Sequence, residues 1–246
     1  MLLSLAVGGI FVIEFPCAPG DHRLSAEIHF NNRRFDRALT EAQRALRQNG
    51  PNSSLYLISA FACVELNKID EAYLQLENAL ELGSDKRPAH TALRQITQEL
   101  GQYELAAETL RRHLDRQPDD TAAQASLGWV YTKMGQEEEG LRLLEAVVED
   151  DGEEIFGHLN LSRLLLKNGE VDQAIAVLRR ALEIAPGNGQ LLFSLGECQL
   201  ESGHSADAAK HFDRALRASD SPSLSAVHIA RSYYRGGFPR EAISYY

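Results

Sequence analysis

Of the 246 residues, three are cysteine, one is tryptophan and two are methionine. An odd set of three thiols, Cys17, Cys63 and Cys198, has no pairing framework and gives no support for a disulfide-stapled secreted protein. Positive charge is also in deficit. Lys and Arg number 25 against 35 Asp and Glu, giving a net charge of −10 and a pI near 5.3. Nucleic-acid binding, which needs a basic face to displace phosphate counterions, is therefore not expected. The chain has no Gly-rich phosphate loop, no nucleophile motif and no paired metal-ligand helix, so nothing supports an enzyme reading. The eight histidines show no metal spacing: His22 and His29, and His204 and His211, stand seven apart without a third or fourth ligand in view. Neither a metal nor another cofactor is expected.

What the chain does have is a period. Ala38, Ala72, Ala106, Ala174, Ala208 and Ala242 are spaced by multiples of 34 residues, and Gly140 fills the one vacant place. Seven residues after the first six of these seven places come Ala45, Ala79, His113, Val147, Ala181 and Ala215. Five before comes a turn residue: Arg33, Asn67, Gly101, Gly135, Gly169, Gly203 and Gly237. Twelve before comes Ala26, Ala60, Arg94, Gly128, Ser162, Gly196 and Ala230. The units begin at Pro19, Ser53, Arg87, Thr121, Ile155, Gly189 and Ser223 with no insertion or deletion. A fixed period of this length predicts an all-α repeat solenoid.

The spacing carries its own physics. Small residues twelve apart lie on successive helices and let them approach closely. Leu127, Tyr131, Leu141 and Leu144 then share a buried face at helical spacing. The turn glycine adopts positive φ and ends the first helix sharply. Pro118, Pro186 and Pro222 sit near unit ends, and Asp120, Asn188 and Ser221 offer side-chain oxygens to the next helix start. Arg94 stands where a small residue belongs, so the Arg87 unit is expected to pack least well.

With Leu127, Gly128, Tyr131, Gly140, Leu144 and Val147, the Thr121 unit resembles the tetratricopeptide repeat, a 34-residue helix–turn–helix. The Ile155 unit (Leu161, Ala174, Leu178, Ala181, Pro186) and the Gly189 unit (Leu195, Gly196, Ala208, Phe212, Ala215) resemble it equally. The resemblance runs over residues 19–246 and implies a right-handed superhelix of about seven repeats, the last incomplete. It departs at the family's usual first-helix tryptophan, replaced by His22, Tyr56, His90, Gln124, His158, Leu192 and Ala226.

The ends stand apart from the array. Residues 1–18 form an apolar segment in which Leu2–Ile13 carries no charge and falls short of the roughly 20 residues of a membrane span. It reads as an export signal or short anchor, giving membrane attachment through residues 1–15, or as a degenerate helix capping the first unit. Export or anchoring is slightly preferred over a cytoplasmic protein. At the other end the array stops inside a second helix, leaving Ile243, Tyr245 and Tyr246 expected to face solvent; self-association there, or a longer native chain, accounts for such an end.

The family resemblance implies that first helices line a concave groove. At the ninth and thirteenth places of adjacent units stand Trp129 with Lys133, and Arg163 with Lys167, with Asn160 beside them. One aromatic and three cations suit an acidic, extended peptide. A separate apolar stretch, Leu57, Ile58 and Phe61, suits a hydrophobic side chain. The competing reading is that Glu197, Glu201, Arg231 and Arg235 on the following first helices pair with these cations across units. The family's two-carboxylate clamp and the asparagine ladder of its sugar-transferring members are absent, Asn160 standing alone. The chain is thus expected to be a non-catalytic scaffold for protein or peptide partners. The alternatives are the substrate-presenting repeats of a longer glycosyl- or sulfotransferase, or an envelope assembly factor.

Overall fold

The computed structural model describes residues 21–82, 86–150 and 152–245. These form fourteen helices and, among the described residues, no strand. The chain divides into two compact units, Met1–Gly83 and Ser84–Tyr246. The first holds two helix pairs: α1 (His22–Asn31) with α2 (Phe35–Asn49), and α3 (Ser53–Glu65) with α4 (Ile69–Leu80). The second holds five: α5 (Arg87–Leu100) with α6 (Tyr103–Arg116), α7 (Thr121–Lys133) with α8 (Glu137–Asp150), α9 (Ile155–Lys167) with α10 (Val171–Ile184), α11 (Gly189–Glu201) with α12 (Ser205–Arg217), and α13 (Pro222–Arg235) with α14 (Pro239–Ile243).

Local chemistry explains the boundaries. Asn52 Oδ1 accepts from the Leu55 amide at 3.1 Å, Asp120 Oδ1 from Ala123 at 3.0 Å, and Asn188 Oδ1 from Gln190 and Leu191 at 3.0 and 3.1 Å. Each bond satisfies an amide that a helix start leaves unpaired. Ser221 departs from expectation. Its side chain makes no cap bond; Ser219 Oγ instead accepts from the Ser221 amide at 3.1 Å, and Pro222 opens the helix with its fixed φ. Between the two helices of each pair, all seven turn residues have positive φ: 56° and 59° at Arg33 and Asn67, and 67–83° at the five glycines.

The small residues do what their spacing implies. Ala38, Ala72, Ala106, Ala174 and Ala208 are fully buried. Where glycine replaces alanine the helices are closer still. A Cβ at Gly140 would lie 2.7 Å from Thr132 Cγ2, and one at Gly196 would lie 2.5 Å from Phe212 Cε1. In the larger unit Leu144, Leu161, Leu178, Leu191 and Leu195 make a continuous core across three repeats. The Arg87 repeat is the loosest pair, since α5 and α6 meet less than any other two paired helices. Arg94 turns its guanidinium away from that joint, 4.0 Å from the Phe156 ring centre, with one nitrogen donating to Ser126 Oγ at 3.2 Å.

Within each unit the packing is one-sided. First helices touch first helices (α1 with α3; α5 with α7, α7 with α9, α9 with α11, α11 with α13), while no second helix touches another second helix. First helices therefore sit on the inner side of each stack. At the carboxyl end, Ile243 is 73% exposed, as the pattern implies. Tyr245 differs: its ring stacks on Tyr233 with centres 5.6 Å apart, and its hydroxyl donates to Asp213 Oδ1 at 3.0 Å. The turn continues past α14, with the Tyr245 amide donating to the Ala242 carbonyl at 3.2 Å. Tyr246 and the apolar segment 1–18 lie outside the described residues. No helix among the described residues is long and apolar enough to cross a membrane. Cys63 and Cys198 are buried free thiols.

Candidate functional site

The inner face of the larger unit carries the residues singled out by register. Lys133, Arg163 and Lys167 are exposed, whereas Trp129 retains 6% of its surface and Asn160 5%. The indole is wedged edge-to-face between Tyr103, centres 6.0 Å apart, and Phe156, 6.2 Å apart. Phe156, in the first turn of α9, thus reaches back to the indole on α7. Asn160 Nδ2 donates to the Phe156 carbonyl at 2.7 Å, one turn back along its own helix. Lys167 is ion-paired with Glu137 at the start of α8. In the smaller unit Leu57, Ile58 and Phe61 are half-buried, and the Phe61 ring lies against Phe30 with centres 6.4 Å apart.

Arg163 is different from these neighbours. It lines a cleft with Asn188, Gln190 and Phe193 of the α11 start and Ser225 and His228 of α13. Its guanidinium has no hydrogen bond or ion pair among the described residues. The carboxylate that acts on it is Glu197, which burial pushes above the ordinary carboxylate range. A hydrogen bond from Ser232 Oγ at 2.9 Å and the charges of Arg163, Arg235 and His228 oppose that rise without cancelling it. Glu201, Arg231 and Arg235 are exposed. The cleft thus presents one unpaired guanidinium beside the side chains of Asn188, Gln190 and Ser225, with Asp220 also on its wall, and the guanidinium can take a carboxylate or another planar anion.

A second polar cluster has no counterpart in the sequence-level reading. His90 in the first turn of α5, His113 in the last turn of α6 and Asp120 at the cap of α7 converge at one junction. His113 Nε2 donates to Asp120 Oδ2 at 2.9 Å, and His90 Nε2 lies 3.3 and 3.4 Å from the two carboxylate oxygens. All three donor atoms fall within 4.8 Å of one another, as a metal ion requires. Both imidazoles are buried. Burial alone would raise the Asp120 pKa, but the hydrogen bonds from His113 and His90 hold it well below the ordinary range. Lys86 completes the cluster, its Nζ 3.4 Å from Asp120 Oδ2 and hydrogen-bonded to Gln117. The cluster opens to a cleft lined by Lys86, His90, Gln117 and Asp120. Two sequence signals mark it: His113 interrupts the series of small residues, and His90 takes the usual tryptophan place. Neither the 23 residues from His90 to His113 nor the 7 from His113 to Asp120 is a metal motif.

The solved structures agree on the fold. A tetratricopeptide repeat protein from Parabacteroides merdae superposes with a TM-score of 0.61 at 16% identity, over 91% of this chain and 89% of that one. The protein TTC0263 of Thermus thermophilus superposes at 0.58 with 20% identity, over 74% of this chain and all of the other. No curated relative matches the sequence. Family models described as tetratricopeptide repeat match residues 23–89 and 159–222, and, for a second model, residues 98–156. With the period, the helix pairs and more than half of the sequence in agreement, the chain belongs to the tetratricopeptide repeat family.

Proposed function

We propose that the protein is a non-catalytic interaction scaffold that binds acidic, extended segments of partner proteins across the first helices of its larger unit, with Arg163 as the anchor. The observation that carries this reading is the exposed, unpaired guanidinium of Arg163 at the mouth of a cleft. Lys133 stands on α7 as a second exposed cation, and Lys167 joins by exchanging Glu137 for a ligand carboxylate. Stacked repeats offer a long surface of this kind rather than an enclosed pocket, and such surfaces serve extended chains. Asn160 and Trp129 support the site from beneath: the indole holds α7 against α9 and fixes the spacing between Lys133 and Arg163. The half-buried strip of Leu57 and Phe61 in the smaller unit is proposed to take an apolar side chain.

The test is a fluorescence-anisotropy titration with extended peptides of fixed length whose acidic residues are varied in number and position. Affinity should rise with peptide charge and fall with added salt, because the cations are open to solvent. Arg163→Glu should weaken binding by more than roughly tenfold, since it removes the bidentate contact a guanidinium offers a carboxylate and adds repulsion. Equal affinities for acidic, neutral and basic peptides, or for wild type and Arg163→Glu, would sink the reading.

A further inference from the structure

We infer that the junction of α5, α6 and α7 is a site for one divalent transition-metal ion of the zinc class, held by His90 Nε2, His113 Nε2 and Asp120 Oδ2. The geometry supports this at several points. The His90-to-carboxylate separations of 3.3 and 3.4 Å are long for a charge-assisted hydrogen bond. The 3.4 Å to Oδ2 is close to the edge of a tetrahedron with metal–ligand arms of 2.0–2.1 Å, about 3.3 Å, while His113, at 2.9 Å from Oδ2, would move out by a few tenths of an ångström. Both imidazoles point the same nitrogen at one carboxylate, and no described residue separates them from it. Asp120 uses Oδ1 to cap α7 through the Ala123 amide, which fixes the carboxylate and leaves Oδ2 for a cation. Each donor sits at the end of a different helix, so the set is largely pre-formed. The adjoining cleft gives entry and room for solvent as a fourth ligand.

Lys86 sharpens the argument. Its ammonium stands 3.4 Å from Asp120 Oδ2, near where a bound cation would lie. It occupies the helix-start place that Asn52, Asp120, Glu154 and Asn188 fill in other repeats, yet it caps nothing. The same register that supplies a cap elsewhere here supplies a tethered cation. A metal ion entering the site displaces Lys86 toward solvent, and Lys86 competes with it. The composition of the site, two imidazoles and one carboxylate with no thiolate, selects metals that accept nitrogen and oxygen ligands over Cu(I).

The experiment uses the full, tag-free chain stripped with chelator and titrated with Co²⁺ alone, followed by Zn²⁺ competition. One saturable Co²⁺ site is expected, with the visible bands of low-coordinate nitrogen and oxygen ligation, emptied by one equivalent of Zn²⁺. Asp120→Asn keeps a capping side chain on α7 while removing the anionic ligand. It should weaken binding by at least on the order of tenfold, the lower end of what even an outer-shell change costs. His90→Gln, measured in parallel, should do the same and serves if Asp120→Asn does not fold. Lys86→Met should tighten binding by on the order of tenfold, by removing the competing charge. A merely structural role for the cluster predicts the opposite pattern, in which Lys86→Met changes melting but not Co²⁺ uptake. No saturable uptake by wild type, uptake unchanged in both ligand variants, or uptake unchanged in Lys86→Met overturns the assignment.

Discussion

Replacing Gly196 by alanine sets two elementary effects against each other. Gly196 lies in the middle of α11, where alanine is favoured over glycine by about 0.8–1.0 kcal/mol on helix propensity alone. Packing argues the other way. The added Cβ would meet three atoms of the Phe212 ring at 2.5, 2.7 and 2.9 Å. Carbon atoms in favourable contact stand about 3.5–4.0 Å apart, so the ring must retreat by about 1 Å. It has nowhere to go. Phe212 is fully buried, with Phe193 and Tyr233 against it at ring separations of 5.4 and 5.3 Å. Overpacking of this kind costs about 1–3 kcal/mol, and the rigidity of the ring places this site near the top of that range. Subtracting the propensity gain leaves a net loss of about 2 kcal/mol. Urea melts followed by circular dichroism give the midpoint, and native-state hydrogen exchange on α11 and α12 locates the loss, since repeat arrays need not unfold in one step. Gly187→Ala is the control: a Cβ there meets nothing within 4 Å, and stability should hardly change. Adding Phe212→Leu to Gly196→Ala should cost less than the sum of the two single changes, because the clash partner is gone. A Gly196→Ala variant more stable than wild type would refute the reasoning.

Three further outcomes are expected. Trp129→Ala should destabilise the larger unit by about 3–5 kcal/mol, a buried-aromatic loss visible in melts without any ligand; a surface-like change under about 0.5 kcal/mol would contradict the observed wedge between Tyr103 and Phe156. Glu197 has a folded pKa raised above its ordinary value, chiefly by burial, so its favourable share of stability is present below the unfolded pKa and lost as pH rises through the folded one. Glu197→Gln should therefore gain on wild type as pH rises above the unfolded carboxylate range, about pH 4, and melts showing a constant gap would count against it. Burial pushes the Cys63 thiol up to about 11 and that of Cys198 up to about 12. In a Cys17→Ser background at about pH 8, alkylation should be slow in the folded state and complete after unfolding, and rapid labelling of native protein would disprove the burial.

The boundary between sequence and tertiary structure follows the range of the forces involved. Features that depend on a residue and its near neighbours were legible. The turn places from Arg33 to Gly237 all have positive φ, because a short helix hairpin demands it locally. Helix starts at Ser53, Arg87, Thr121, Ile155 and Gly189 fall on the predicted unit starts. The misfit of Arg94 was legible too, since a long cation cannot occupy a place reserved for a methyl group. Ser221 was not, because its side chain caps nothing: its own amide is bound by Ser219 Oγ and Pro222 opens the helix. Accessibility on the inner face was decided only by packing. The repeat register places Trp129 and Arg163 alike at the ninth position, yet Phe156 from the following helix covers the indole while the guanidinium stays open. The His90–His113–Asp120 cluster was hidden for the same reason. Its members belong to three helices, and the period that predicts those helices does not say which side chains their junction brings within 4.8 Å. Sequence alone determined the period, the helix pairs and the turns; tertiary structure decided which polar groups are buried together and which are left to meet a ligand, because both depend on distances across helices that no local pattern encodes.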